Sequence, residues 1–166
     1  MKTLLIIRHA KSSWDNMNTP DIERPLNDRG KKDAPAMAKR VTKAGIHPDR
    51  LVSSPARRAR HTAELFAGVF DVKEKDIVIR NELYHAQPAA FQQVVAGLDD
   101  EDQTVALFSH NPGITAFVNT LTTVRLDNMP TCSVFALKSQ APSWSEFFTG
   151  DREFLFFDYP KSSAAD

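Results

Sequence analysis

Three short stretches hold the side chains best suited to polar chemistry. Arg8-His9-Ala10 follows the apolar run Leu4-Leu5-Ile6-Ile7. Leu51-Val52-Ser53 leads into Ser54-Pro55-Ala56-Arg57-Arg58, and Val105-Ala106-Leu107-Phe108-Ser109 leads into His110-Asn111-Pro112-Gly113. A phosphoryl group carries about two negative charges near neutral pH. Arginine meets two of its oxygens at once through a planar fork. An unprotonated imidazole is a nucleophile toward phosphorus, and a protonated one stabilises charge on the equatorial oxygens. Arg8, Arg58, His9 and His110 brought together would make a phosphoryl-transfer site that calls for no metal or other cofactor.

Each of these stretches begins as a short buried strand, and the carboxyl ends of such strands are where open α/β sheets bind ligands. Ser54-Pro55 predicts a helix start, with serine as N-cap and proline at the first helical position. That helix buries Ala59, Ala63, Phe66 and Phe70 and directs its positive end toward the same place. Asn27 is a plausible N-cap for a helix carrying Ala34, Met37, Val41 and Ala44 and stopped by Gly45; Pro35 predicts a kink or a start close to Asp33. Further segments read as a strand over Asp76–Ile79, a helix from Pro88 to Gly97, and a helix opened by Asn111-Pro112 with Ile114, Phe117, Val118 and Leu121 inward. Cys132–Leu137, Trp144–Thr149 and Phe154–Asp158 read as three late strands. The expected fold is a three-layer α/β/α sandwich with a mostly parallel central sheet. It forms a single domain over 1–160 with a frayed tail at 161–166.

The totals are those of an ordinary globular domain of 166 residues, 42% hydrophobic and 25% charged. Twenty-one basic residues balance 21 acidic ones, which argues against nucleic acid or an anionic membrane as partner while leaving room for a local cationic pocket. Cys132 is the single cysteine and reads as a small buried residue. The acidic run Asp99-Asp100-Glu101-Asp102 reads as a solvated turn. No export pattern precedes the first strand, so a cytoplasmic location is expected.

The motifs Arg8-His9-Ala10, Ser53-Ser54-Pro55-Ala56-Arg57-Arg58-Ala59 with Thr62, and Ser109-His110-Asn111-Pro112-Gly113 resemble the signatures of the histidine phosphatase (phosphoglycerate-mutase-like) superfamily. Lys11-Ser12-Ser13-Trp14, Leu83-Tyr84-His85-Ala86 and the short length resemble its SixA-type phosphohistidine phosphatase branch. The resemblance implies that His9 is the nucleophile that becomes phosphorylated, with Arg8, Arg58 and His110 around the phosphoryl group. It aligns the family arginine with Arg58 and leaves Arg57 exposed. Larger relatives take a carboxylate proton donor from the segment after the second arginine motif, where Glu82 is the only acid beside Leu83-Tyr84. Phosphohistidine leaves as a weakly basic imidazole, so a SixA-like enzyme could manage with a weak acid or none, with Glu82 a surface or orienting residue. Ser12 is a further candidate donor to phosphate. His47, His61 and His85 are not expected to be catalytic, His85 being the one most placed to touch a substrate. The chain departs from the mutase pattern at Asp15, where a carboxylate would repel a second phosphate.

The function implied is a phosphatase working through a covalent phosphohistidine, with a histidine-phosphorylated signalling protein as substrate. Two alternatives stand beside it. One is a phosphatase of a small metabolite such as a sugar phosphate, favoured by a buried acid at Glu82 and a closed pocket. The other is a non-catalytic phosphate- or phosphoprotein-binding module.

Overall fold

Four apolar residues in succession need cover on both faces of a sheet, because alternate side chains point to opposite sides. Strand β1 (Lys2–Arg8) receives it. Leu4 and Ile6 enter one core cluster, and Leu5 and Ile7 enter another. The computed structural model describes residues 1–123 and 125–162. Within them β1, β2 (Arg50–Ser53), β3 (Val78–Ile79), β4 (Thr104–Ser109), β5 (Val134–Ser139) and β6 (Arg152–Asp158) form one sheet in the order β3-β2-β4-β1-β5-β6. The β3-β2-β4-β1 half is parallel; β5 pairs antiparallel with both β1 and β6.

Helices α1 (Asp28–Lys43) and α2 (Arg57–Phe70) cover one face, contributing Ala34, Met37, Val41, Ala63 and Phe66. Helices α3 (Pro88–Ala96) and α4 (Gly113–Asn119) cover the other with Phe91, Val94, Ile114 and Phe117. The architecture is the expected α/β/α sandwich with a mostly parallel sheet. Each fully buried side chain of this size contributes about 1.5–3 kcal/mol. Both clusters run the length of β1 and β4, so the strand ends that carry Arg8 and Ser109 are fixed by the best-packed part of the molecule. Among the described residues no helix is long and apolar enough to cross a membrane.

Several local expectations need correction. Asn27 caps α1 as expected, accepting from the Gly30 amide at 2.8 Å, but the helix starts at Asp28 rather than close to Asp33 and runs through Pro35. Helix α2 starts at Arg57 with Ala56 as its cap, and the Ser54 hydroxyl accepts from the Ala56 amide ahead of the helix. The third strand is reduced to Val78–Ile79, since Glu74–Asp76 winds into a 3-10 turn. Trp144–Thr149 is not a strand: Trp144–Glu146 is a 3-10 turn that buries Trp144 and Phe147, three residues apart on one side. The acidic run is more than a solvated turn. Its backbone carbonyls at Asp100 and Asp102 accept from the buried Lys2 ammonium, and Asp102 accepts from the Trp144 indole at 2.8 Å. Cys132 is buried as expected, and burial pushes its thiol pKa up. Of the expected tail, residues 163–166 lie outside the described residues.

Candidate active site

Strand register brings the three motifs to one level. Arg8 of β1 lies opposite Ser109 of β4, and Ser53 of β2 lies opposite Phe108. The next residues out of the sheet are therefore His9, His110 and Ser54. The His9 amide donates to the Ser109 carbonyl at 3.1 Å, and the Ser54 amide donates to the Phe108 carbonyl at 3.0 Å. The His9 and His110 rings end up 5.1 Å apart, centroid to centroid.

Each imidazole is held by one nitrogen. His9 Nδ1 lies 2.7 Å from the Ala10 carbonyl. A carbonyl only accepts, so the hydrogen is on Nδ1 and the lone pair of a neutral ring is on Nε2. His110 Nε2 lies 2.7 Å from the Ser54 hydroxyl. That hydroxyl accepts from the Ala56 amide at 3.2 Å, and among the described residues His110 Nε2 is the one acceptor within reach of its own buried proton, which it therefore receives. A neutral His110 then carries its hydrogen on Nδ1, which is buried without a protein partner. Thr62, one turn into α2, ties the two motifs together: it accepts from the Ala10 amide at 2.9 Å and donates to the Arg58 carbonyl at 2.7 Å.

The two arginines are anchored by their tips. Arg8 Nη1 donates to the Met129 carbonyl at 2.8 Å. Arg58 Nη1 donates to the Asp21 carbonyl at 2.7 Å and Nη2 to the Asp21 carboxylate at 3.1 Å. The Nε atoms of both arginines are buried with no partner among the described residues. Arg57 is exposed while Arg58 is buried, as the family alignment implies.

Electrostatically the site disfavours further positive charge. Burial, opposed by the Ala10 contact and reinforced by Arg8, Arg58 and Arg24, pushes the His9 pKa down to about 3. Burial and the neighbouring His9 and Arg58 push His110 down as well. Burial and Arg58 lower even Arg8. At neutral pH both imidazoles are thus unprotonated, and two clustered guanidinium groups repel each other. A bound anion relieves each of these costs at once.

Three residues missed by sequence reasoning complete the surroundings. Asp21 contacts Arg58, Arg24 and Tyr84, whose hydroxyl donates to the carboxylate at 2.6 Å. Arg24 donates to the Ser12 hydroxyl at 2.8 Å and stacks on the exposed Trp14 ring at 3.6 Å. Tyr84 places its ring edge toward His110 at 5.7 Å. Asp21 opens a single 3-10 turn (Asp21–Glu23) that Arg24 closes, a segment too short to show periodicity, so nothing local distinguished them from surface charges. Ser12 is buried and poised by Arg24, with its own proton still available. The expectation for Glu82 does not fit the geometry. Its carboxylate is fully exposed to solvent, paired with Arg80, and held below the usual carboxylate range by that hydrogen bond. It is an ion-paired surface group rather than a protonated acid.

The family model of the histidine phosphatase superfamily (branch 1) matches residues 4–87, a span that includes Arg8, His9 and Arg58. An uncharacterized chloroplastic protein of Arabidopsis thaliana is 28% identical over 155 residues, covering 89% of this chain and 71% of that protein. A 2,3-bisphosphoglycerate-dependent phosphoglycerate mutase of Hydrogenobaculum is 33% identical over 79 residues, which are 46% of this chain and 32% of the mutase. A SixA crystal structure from Agrobacterium tumefaciens superposes with a TM-score of 0.79 at 25% identity, covering 96% of this chain and 98% of that one. A protein histidine phosphatase SixA complexed with tungstate shares the fold at a TM-score of 0.79 and 20% identity, over 95% and 97% of the two chains. With half its length in the family match and its two imidazoles at adjacent strand ends, the chain belongs to the histidine phosphatase superfamily (branch 1).

Proposed function

We propose that this chain is a phosphatase that passes a phosphoryl group through His9 and acts on phosphohistidine in a protein. The observation that carries the reading is the set of buried, unpartnered donors Arg8 Nε, Arg58 Nε and His110 Nδ1. Burying a polar group without a partner costs about 1–3 kcal/mol, and a protein retains such groups where a ligand satisfies them. All three belong to residues singled out as phosphate ligands from their motifs. The two guanidinium charges serve the transfer, and neutral His110 serves it as a hydrogen-bond donor.

In the proposed sequence His9 Nε2 attacks phosphorus in line and the leaving group departs. Water then displaces the phosphoryl group from His9. Arg8, Arg58 and His110 hold the three equatorial oxygens throughout, with Ser12 as an additional donor. The low pKa of His9 keeps its lone pair available at neutral pH.

Two observations favour a phosphoprotein over a small metabolite. Glu82 is exposed and ion-paired rather than a buried acid. The rim of the site carries exposed Trp14, under Arg24, and exposed His85, beside Tyr84, which suits contact with a macromolecular surface. The SixA relative with tungstate, an oxyanion of phosphate-like charge, is described as a protein histidine phosphatase, which supports the same reading.

Mass spectrometry after brief mixing with a phosphohistidine-bearing protein domain tests it. Acid-labile phosphate on His9, absent in His9→Ala, is the expected result. Labelling only by sugar phosphates would move the protein to the metabolic alternative. No labelling from either donor, with tight phosphate binding, would make it a binding module.

A further inference from the structure

The reaction proposed above leaves one role unassigned, the supply of a proton to the departing atom where the leaving group is too basic to go without one. Neither nearby carboxylate can supply it. Partial burial would raise the Asp21 carboxyl, but hydrogen bonds from Tyr84, Arg24 and Arg58 outweigh that and hold it well below the usual range. Glu82 is held ionised by Arg80. The Tyr84 phenol gives its hydrogen to Asp21, and His110 is buried and unprotonated.

His85 stands apart from all of these. It is exposed, and its backbone takes the left-handed conformation at φ 57°, which a non-glycine residue adopts only where the surroundings hold it there. The turn is clamped from behind: the Ala86 carbonyl lies so close to Gly113 that a methyl group there would sit 1.8 Å from it. The His85 ring is laid against Tyr84 at 4.0 Å, and Tyr84 in turn meets His110. His85 and His110 line one cavity of about 270 Å³ together with Gln87, Asn111 and Pro112. Imidazole is the side chain most often placed as a general acid and base, provided that it reaches the reacting group.

We propose that His85 is the proton donor and acceptor of this site, and that the cavity it shares with His110 receives the leaving group. This rests on the covalent mechanism proposed for His9. In the first step the His9 Nε2 lone pair forms an N–P bond. The bond from phosphorus to the leaving atom breaks, its electron pair stays with the leaving group, and the leaving group takes the proton of the His85 imidazolium. In the second step neutral His85 takes a proton from water as the water oxygen bonds to phosphorus. The N–P bond breaks with its pair returning to His9, inorganic phosphate departs, and His85 is protonated again.

The test is the leaving-group dependence of His85→Asn, asparagine being a residue that tolerates the left-handed conformation but has no proton to give. With phenyl phosphate, whose leaving group needs protonation, turnover falls about 100-fold, the scale of general acid catalysis. With para-nitrophenyl phosphate, a far better leaving group, the loss is several-fold at most. Added imidazole restores phenyl phosphate turnover in His85→Ala. An equal loss on both substrates, or no loss on either, would overturn the proposal, as would failure of imidazole to rescue. Absence of phospho-His9 in the wild-type protein with both substrates would instead remove the covalent mechanism, and this assignment with it.

Discussion

Asp21 holds Arg58 at both ends of the guanidinium, with its backbone carbonyl at 2.7 Å from Nη1 and its carboxylate at 3.1 Å from Nη2. One loop residue therefore sets the direction of the arginine that α2 presents, and leaves Nε as the edge turned to other partners. Because the same carboxylate accepts from Tyr84 and Arg24, the loop over residues 21–24 and the 3-10 turn before Tyr84 are fixed relative to α2.

Replacing Asp21 by Asn keeps the shape and the backbone contact but removes the charge. Charge-assisted hydrogen bonds contribute about 1.5–3 kcal/mol when shielded, and the Asp21 side chain is 46% exposed, so the lower end applies. The expected outcome for Asp21→Asn is a fall of about tenfold in kcat/KM, read mostly in KM for the phosphorylated substrate, with an unchanged far-UV spectrum. An unaltered KM would mean that Arg58 is positioned by α2 alone.

The lowered histidine pKa values make stability pH-dependent in a defined direction. In the unfolded chain an imidazole titrates near 6.5, whereas folded His9 does so at about 3 and His110 is lowered too. Below pH 6.5 the unfolded state binds protons that the folded state does not, so stability is full above that pH and is lost as pH falls toward 3. By pH 5 each histidine costs up to about 2 kcal/mol at 1.36 kcal/mol per pH unit. Urea midpoints measured from pH 7.5 to 4.5 should fall accordingly. His9→Asn should flatten the slope, and an identical slope in that variant would contradict the burial of His9.

Arg8, His9, Arg58 and His110 are legible in the sequence because each directly follows or opens an element whose type is set by a strong local pattern. Buried strands end where their apolar runs end, and parallel register then aligns what comes next. Asp21, Arg24 and Tyr84 were not legible in this way, since they reach the site through a loop and a 3-10 turn whose paths are set by tertiary contacts. The same limit explains Glu82. Its neighbours in sequence pointed to the site, but only the fold shows its carboxylate turned to Arg80. Ser54 reads as a helix cap from a sound local preference; its hydroxyl does take the Ala56 amide, one residue short of the helix, and its remaining proton goes to a tertiary partner, His110.

The clamp between Gly113 and the Ala86 carbonyl ties the His85 turn to the start of α4. A methyl group at Gly113 would stand 1.8 Å from that oxygen, 2.9 Å from its carbon and 3.3 Å from the Phe91 ring. Two of these neighbours are backbone, so relief requires the turn itself to move. Gly113→Ala should lose about 1–3 kcal/mol of stability, the usual cost of overpacking, and should lower turnover beyond what the stability loss explains. A Gly113→Ala protein with wild-type stability and activity would show that the turn is free to shift.

Ser54 offers the sharpest separation between holding the phosphoryl group and attacking it. Its hydroxyl touches His110 Nε2 but nothing on His9, so Ser54→Ala leaves the nucleophile's own hydrogen bond to Ala10 intact. The substitution strips a buried imidazole of its partner and frees the ring to turn, which withdraws His110 Nδ1 from the phosphoryl oxygens. A neutral buried hydrogen bond contributes about 0.5–1.5 kcal/mol, so inhibition by tungstate or inorganic phosphate should weaken roughly tenfold. Phospho-His9 should still form in single-turnover labelling, more slowly. Complete loss of the labelled intermediate would mean that Ser54 acts on His9 through His110, and that the two imidazoles work as one unit rather than as attacker and holder.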